Sequence, residues 1–133
     1  MKEIEVNEYV RLARNQGINK IIDIYDKKYE LETDIANEWG EFTCILEEYQ
    51  LKDEIINHSK HLIDLIEVGD FVNGYRVISV DYDVTNDTTE CIELDLNSNY
   101  QYNFISIRQI QTILTKEQYE ANCFKVGGKW KWQ

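Results

Sequence analysis

Apolar residues along this chain recur mostly at a spacing of two, the repeat of a β-strand with one face on a core and one in water. The clearest case is the run from Phe71 to Tyr82. Gly69-Asp70 punctuates its entry, Phe71-Val72 opens a strand, Asn73-Gly74 reverses the chain, and Tyr75 to Tyr82 continues β-branched and aromatic. Asn-Gly between apolar runs predicts a two-residue hairpin, because both residues tolerate positive φ. Further strands are predicted over Tyr9–Ala13, Ile18–Tyr25, Phe42–Leu46, Cys91–Leu96, Tyr100–Ile107 and Cys123–Val126, with turns at Asn15-Gln16-Gly17, 84–89 and 97–99. Residues 1–8 read as a loose lead-in. The charged run 26–41, with Asn37 and Gly40, reads as a long acidic loop or irregular hairpin in which Trp39 folds back.

Helical spacing is rarer. Apolar positions 55, 56, 62, 63, 65 and 66 predict a short helix within 53–66, with Asn57 and Ser59 as caps. Thr115-Lys116-Glu117-Gln118 has the form of a capping box, a cap hydroxyl with Gln three residues on, and predicts a helix to about Asn122. Gly127-Gly128 then releases a tail, Lys129-Trp130-Lys131-Trp132-Gln133, whose aromatics are costly to leave exposed.

The expected fold is mainly β with short helices (α+β), built from small SH3-like or barrel-like sheets, two of them in tandem. The chain, 1–133, reads as a single domain with sub-repeats over 8–66 and 67–126 and a tail over 127–133. The repeat rests on Gly17–Tyr25 lying over Gly74–Tyr82. Each run follows an aromatic-Val pair (Tyr9-Val10, Phe71-Val72) and precedes a Cys-Ile pair (Cys44-Ile45, Cys91-Ile92).

Charge changes the picture more than composition does. The net charge is -11. Nine acids, Glu30, Glu32, Asp34, Glu38, Glu41, Glu47, Glu48, Asp53 and Glu54, face a single base, Lys52, within 30–54. Asp81, Asp83 and Asp87 belong to a second base-free stretch, 81–95, and Tyr29, Trp39, Tyr49 and Tyr82 are interleaved with these acids. Such a balance argues against direct binding to nucleic acid or an anionic membrane, since a binder neutralises phosphates with Lys and Arg. It suits a basic protein partner, or simply solubility. No apolar run approaches a membrane span and the first residues lack a signal-peptide layout, so the expected location is the cytoplasm.

Chemistry-bearing motifs are sparse. His58, His61 and Asp64 are three apart and on a helix would share a face, but no fourth ligand falls in register, and surface histidines are the simpler reading. Asp81, Asp83 and Asp87 lack the Gly and the final Glu of a calcium loop. Cys44, Cys91 and Cys123 show no CxxC spacing and read as free core thiols. No phosphate-binding or nucleophile motif is present in the sequence, so the expectation is a protein without catalysis, cofactor or metal.

The stretches Glu8–Arg11, His58–Val77 (HSKHLIDLIEVGDFVNGYRV) and Ile105–Val126, which contains ILTKEQYE, resemble small phage and prophage proteins of low-GC Gram-positive bacteria. They cover about half the chain and leave out 26–54. The resemblance implies an accessory protein of the anti-CRISPR-like, anti-defence kind. Together with the placement of charge, the expectation is a non-enzymatic inhibitor of a host defence protein whose acids occupy that partner's basic nucleic-acid channel. The alternatives are an oligomeric sponge for a small nucleotide messenger, with Arg11, Arg14, Arg76 and Arg108 as its bases, or a structural phage component.

Overall fold

A computed structural model describes residues 3–13, 17–33, 37–83, 85, 88–96, 103–121, 123–126 and 129–132. Its first sheet is built from β1 (Tyr9–Leu12), β2 (Gly17–Tyr25), β3 (Lys28–Glu32), β4 (Thr43–Glu47) and β5 (Ile55–Ser59), in the order β4-β3-β2-β1-β5. The helix α1 (Glu48–Glu54) carries the chain from β4 to β5. The second sheet comprises β6 (Phe71–Val72), β7 (Tyr75–Asp83), β8 (Thr88–Leu94), β9 (Phe104–Ile105) and β10 (Ile113–Leu114), in the order β10-β6-β7-β8-β9. A 3-10 turn, Ile107–Gln109, joins its last two strands. In both sheets four strands meander antiparallel and the fifth returns beside the first, an SH3-like order. The fold is thus mainly β, with two small sheets in tandem and short helices.

The Gly-to-Tyr runs that align in the sequence occupy the second strand of each sheet, and the aromatic-Val pairs open the first. The Cys-Ile pairs do not correspond. Cys44 lies on the fourth strand of its sheet and Cys91 on the third of the other.

Each sheet carries its own small core. Val10, Leu12, Ile21, Leu31 and Leu51 cluster in the first. Ile63, Ile66, Val72, Val77, Ile92 and Leu94 cluster in the second.

The Asn73-Gly74 hairpin forms as the sequence predicts, with Val72 opposite Tyr75 and φ of 53° and 85° at the two turn residues. Asn73 also ties the turn to the segment before β10. Its Oδ1 accepts from the N–H groups of Gln111 (2.7 Å) and Thr112 (3.1 Å), and its Nδ2 donates to the Gln109 carbonyl (2.9 Å). Asn73→Ala loses these bonds and forces a Cβ-bearing residue without a polar tip into the left-handed region, a cost of about 1–3 kcal/mol. Asn73→Gly keeps the turn and loses only the clip, so its urea midpoint falls between those of the alanine variant and the natural protein.

The capping box is present too. Thr115 N–H donates to Gln118 Oε1 (3.0 Å), Gln118 N–H donates to Thr115 Oγ1 (3.2 Å), and α2 runs Lys116–Ala121.

The structure corrects several expectations. Of the two readings of 26–41 the hairpin is nearer than the loop, because residues 28–32 pair antiparallel with β4. They form β3, between β2 and β4, entered by a two-residue turn in which Asp26 (φ 47°) and Lys27 (φ 60°) do what Asn-Gly does elsewhere. The helix expected within 53–66 lies earlier, at α1. Ile55–Ser59 instead pairs antiparallel with β1, and Leu62–Leu65 is a 3-10 turn. The β-branched pair Ile55-Ile56 suits the pleated edge that β1 offers, and this pairing outweighs the helical spacing.

Residues before β1 are not a loose lead-in. Asn7 N–H donates to the Ile21 carbonyl (2.8 Å), and the Glu8 carbonyl accepts from Ile21 N–H (2.8 Å). The tail is a strand, β12 (Lys129–Trp132), paired with β11 (Cys123–Val126) in a two-stranded sheet. The turn expected over 84–89 also ends sooner, because Thr88 and Thr89 already belong to β8. The turn at 97–99 and the start of the Tyr100 strand lie outside the described residues.

Candidate functional site

The acids of the first stretch are sorted by the pleat of the first sheet. Leu31 is wholly buried, so Glu30 and Glu32, its neighbours on β3, project from the opposite face. Glu30 stands opposite Asp23 on β2 and Ile45 on β4, while Glu32 stands opposite Thr43 and Lys28 opposite Glu47. Asp23 was not among the residues expected from the sequence. The period of β2 hides it, since Asp23 lies two residues after the wholly buried Ile21; an irregularity in the pairing between Ile21 and Asp23 turns it to the outer face, opposite Glu30. Like charges directly opposite across strands oppose folding, so the Asp23–Glu30 pair does nothing for the sheet.

Beyond this face, Glu38 and Glu41 are exposed on the turn between β3 and β4. Asn37 shapes that turn: its Oδ1 accepts from the N–H of Trp39 (2.9 Å) and of Glu41 (3.0 Å), and its own N–H donates to the Glu41 carbonyl (2.7 Å). Trp39 does not fold back; it is 76% exposed. Glu48 begins α1 and meets Lys52 at 3.3 Å, an exposed pair of little energetic weight. Asp53 and Glu54 end the same helix. Asp34 lies outside the described residues.

The second acidic stretch is elsewhere. Asp81 and Asp83 lie on β7 of the second sheet, and Asp87 is outside the described residues. The side-chain hydrogen bond between Glu90 and Asp83, with the charge of Asp83, pushes the Glu90 carboxyl up. The Cys91 thiol, 3.6 Å from Asp81 Oδ2, is also pushed up, by burial first and then by Asp81.

The histidines part company. His58 lies on β5 with its Nδ1 3.0 Å from Glu8 Oε1, both side chains almost wholly buried, so it is not the surface residue expected. His61 precedes the 3-10 turn at Leu62–Leu65. Asp64 accepts from Thr89 N–H (2.7 Å) and Ser59 Oγ (3.3 Å), tying that turn to β8. Cys44 is not a core thiol either. It sits exposed on β4, an edge strand, past the point where Leu46 meets the core, and Cys91 is half-buried. No described helix is long and apolar enough to cross a membrane.

The residue that sequence reasoning misplaced most is Arg11. Val10 and Leu12 turn into the first core, so Arg11 points the other way, and it is 0% exposed because the second half of the chain covers it. All five of its N–H donors are used. Nε donates to Glu117 Oε1 (3.0 Å), Nη1 to the Leu65 carbonyl (2.8 Å) and to Asp70 Oδ2, and Nη2 to Asp70 Oδ1 (2.7 Å) and Glu117 Oε2 (2.8 Å). Glu67 adds a further carboxylate 3.3 Å from Nε. Burial alone pulls the guanidinium's pKa down. The bonds to Asp70 and Glu117 and the charges of Asp70 and Glu67 more than offset it, so the group titrates well above its usual range.

Asp70 is equally committed. Besides Arg11 it accepts from Glu67 N–H (2.8 Å) and from Lys116 N–H at the start of α2 (2.9 Å). The helix presses so close that a Cβ on Gly17, where φ is +67°, would come within 2.7 Å of the Gln118 side chain. Arg11 is therefore a weld between the halves and not a base offered to a nucleotide. Arg76 and Arg108 are exposed, and Arg14 lies outside the described residues. A groove of about 590 Å³ beside the weld is lined by Lys20, Glu32 and mostly uncharged residues, a poor setting for phosphates. Compared with protein-family models, with curated proteins and with solved structures, the chain matches none.

Proposed function

We propose that this protein is a non-enzymatic, phage-type accessory protein that binds a host defence protein and occupies its basic nucleic-acid channel with the outer face of the first sheet. One observation carries the reading. Asp23, Glu30 and Glu32 stand on adjacent strands of a single face, with Glu47 at one end and Glu38 and Glu41 on the turn beyond the other. Carboxylates two residues apart on a strand are about 6.6 Å apart, and a rigid row of them offers a basic channel the repeating negative charge of a phosphate backbone. The host-defence setting comes from the resemblance of 8–11, 58–77 and 105–126 to phage and prophage proteins. The bacterial cytoplasm is the matching location.

The test is a pull-down from a Gram-positive host, washed at low and then high salt, with the bound proteins identified by mass spectrometry. The natural protein should retain a basic nucleic-acid-binding protein that high salt releases. Reversing Glu30, Glu32, Glu38 and Glu41 to Lys should leave circular dichroism unchanged and abolish retention. With the purified partner, the on-rate at low salt should fall roughly ten- to a thousandfold. Equal retention by the reversed variant would sink the proposal.

A further inference from the structure

The face of β4 that turns toward the core does not end where the core ends. Leu46 packs against the first core opposite Tyr29, but Cys44, next on the same side of the strand, is exposed, and so is Phe42 just before the strand, at 55%. The chain then turns through Asn37–Glu41 and presents Trp39, the most exposed large apolar side chain among the described residues. Water is a costly surrounding for an indole and a phenyl ring at the end of a sheet. The turn is also pre-set by the two bonds to Asn37 Oδ1, so little ordering remains to be done when it binds.

We infer that Trp39, supported by Phe42, is the aromatic anchor of an interface whose partner is a protein surface with an apolar pocket rimmed by Lys and Arg. The basic rim follows from Glu38 and Glu41, which flank the indole, and from a net charge of -11. The same acids argue against a second copy of this chain as the occupant. A two-fold interface centred on Trp39 would bring Glu38 and Glu41 of one copy close to those of the other. The charge of the partner rests on the acidic-face reading above, whereas the anchor rests on the exposed rings alone.

The test uses a displayed library of random sixteen-residue peptides panned against the whole protein. The enriched peptides are then synthesised and titrated against the natural protein, Trp39→Ala, Trp39→Phe and the four-Lys reversal. The expected result is enrichment of peptides in which Lys and Arg flank one or two large apolar residues. Trp39→Ala should weaken them more than roughly tenfold, Trp39→Phe only in part, and both variants should melt with the natural protein, because an exposed indole contributes little to folding.

Basic peptides that ignore Trp39 but are lost on charge reversal would overturn the anchor and leave the acidic face standing. Binders without a basic bias would overturn the inference as stated, and so would the absence of any enriched binder. A dimer in sedimentation that Trp39→Ala dissolves would assign the face to self-association instead.

Discussion

Arg11→Ala is expected to cost about 3–5 kcal/mol of stability, the range for removing one partner of a buried ion pair and leaving the others uncompensated. The loss goes beyond charge. Asp70 and Glu117 would each keep a carboxylate facing a void, and the Leu65 carbonyl would lose its donor. Arg11→Lys should recover little. An ammonium carries three donors on one nitrogen, whereas the guanidinium serves two carboxylates and a carbonyl from a flat fork. Asp70→Asn should cost less than Arg11→Ala. It keeps one oxygen for Lys116 or Glu67 while giving up one arm of the fork. Urea denaturation of the four proteins checks the order. An Arg11→Ala midpoint equal to that of the natural protein would mean that the weld adds nothing.

Leu31→Ala and Ile92→Ala probe what the weld does to cooperativity. Each residue is wholly buried, one in each core, and each truncation should cost about 2–5 kcal/mol through lost transfer energy and the cavity left behind. The two cores are separate clusters, so without the weld each sheet would unfold to its own limit. With Arg11 in place, Leu31→Ala should lower amide protection in the second sheet as well as the first. In an Arg11→Ala background the same change should lower protection in the first sheet alone. Hydrogen exchange of β2 and β7 amides reads this directly. A second sheet indifferent to Leu31→Ala in both backgrounds would show that the halves are energetically independent.

The stretches 8–11, 58–77 and 105–126 meet at this weld, through Arg11, Glu67, Asp70, Lys116 and Glu117. These segments thus supply the residues that join the two sheets, whereas the proposed binding face lies in 23–47. The residues of the proposed binding face and those of the weld are different sets. Charge reversal on the face should therefore abolish binding without lowering the melt, since Lys at 30 would stand opposite Asp23, and substitutions at the weld should do the reverse.

The features legible in the amino-acid order are those whose determinants lie within a few residues of one another. Asn73-Gly74 forms its turn because two adjacent residues accept positive φ. Thr115 and Gln118 cap α2 because each reaches the other's backbone across one turn. The strict alternation of Cys91 to Leu94 makes β8 half-wet wherever it packs. These local choices are enough to specify a mainly β chain with two small sheets.

What pattern alone could not convey depends on partners far away in the chain. Ile55–Ser59 is a strand because β1 offers it an edge, not because its own spacing asks for one. Lys28–Glu32 is a strand between two others although only Leu31 of its five residues is wholly buried, since both of its edges find ladders. Arg11 looks like any charged residue on a strand until Asp70 and Glu117, 59 and 106 positions later, close over it. Trp39 looks like core until the sheet ends beneath it. Hydrogen-bond geometry over a turn acts at fixed short range and is written locally. Burial is a property of everything else that arrives at a site, and only the assembled chain determines it.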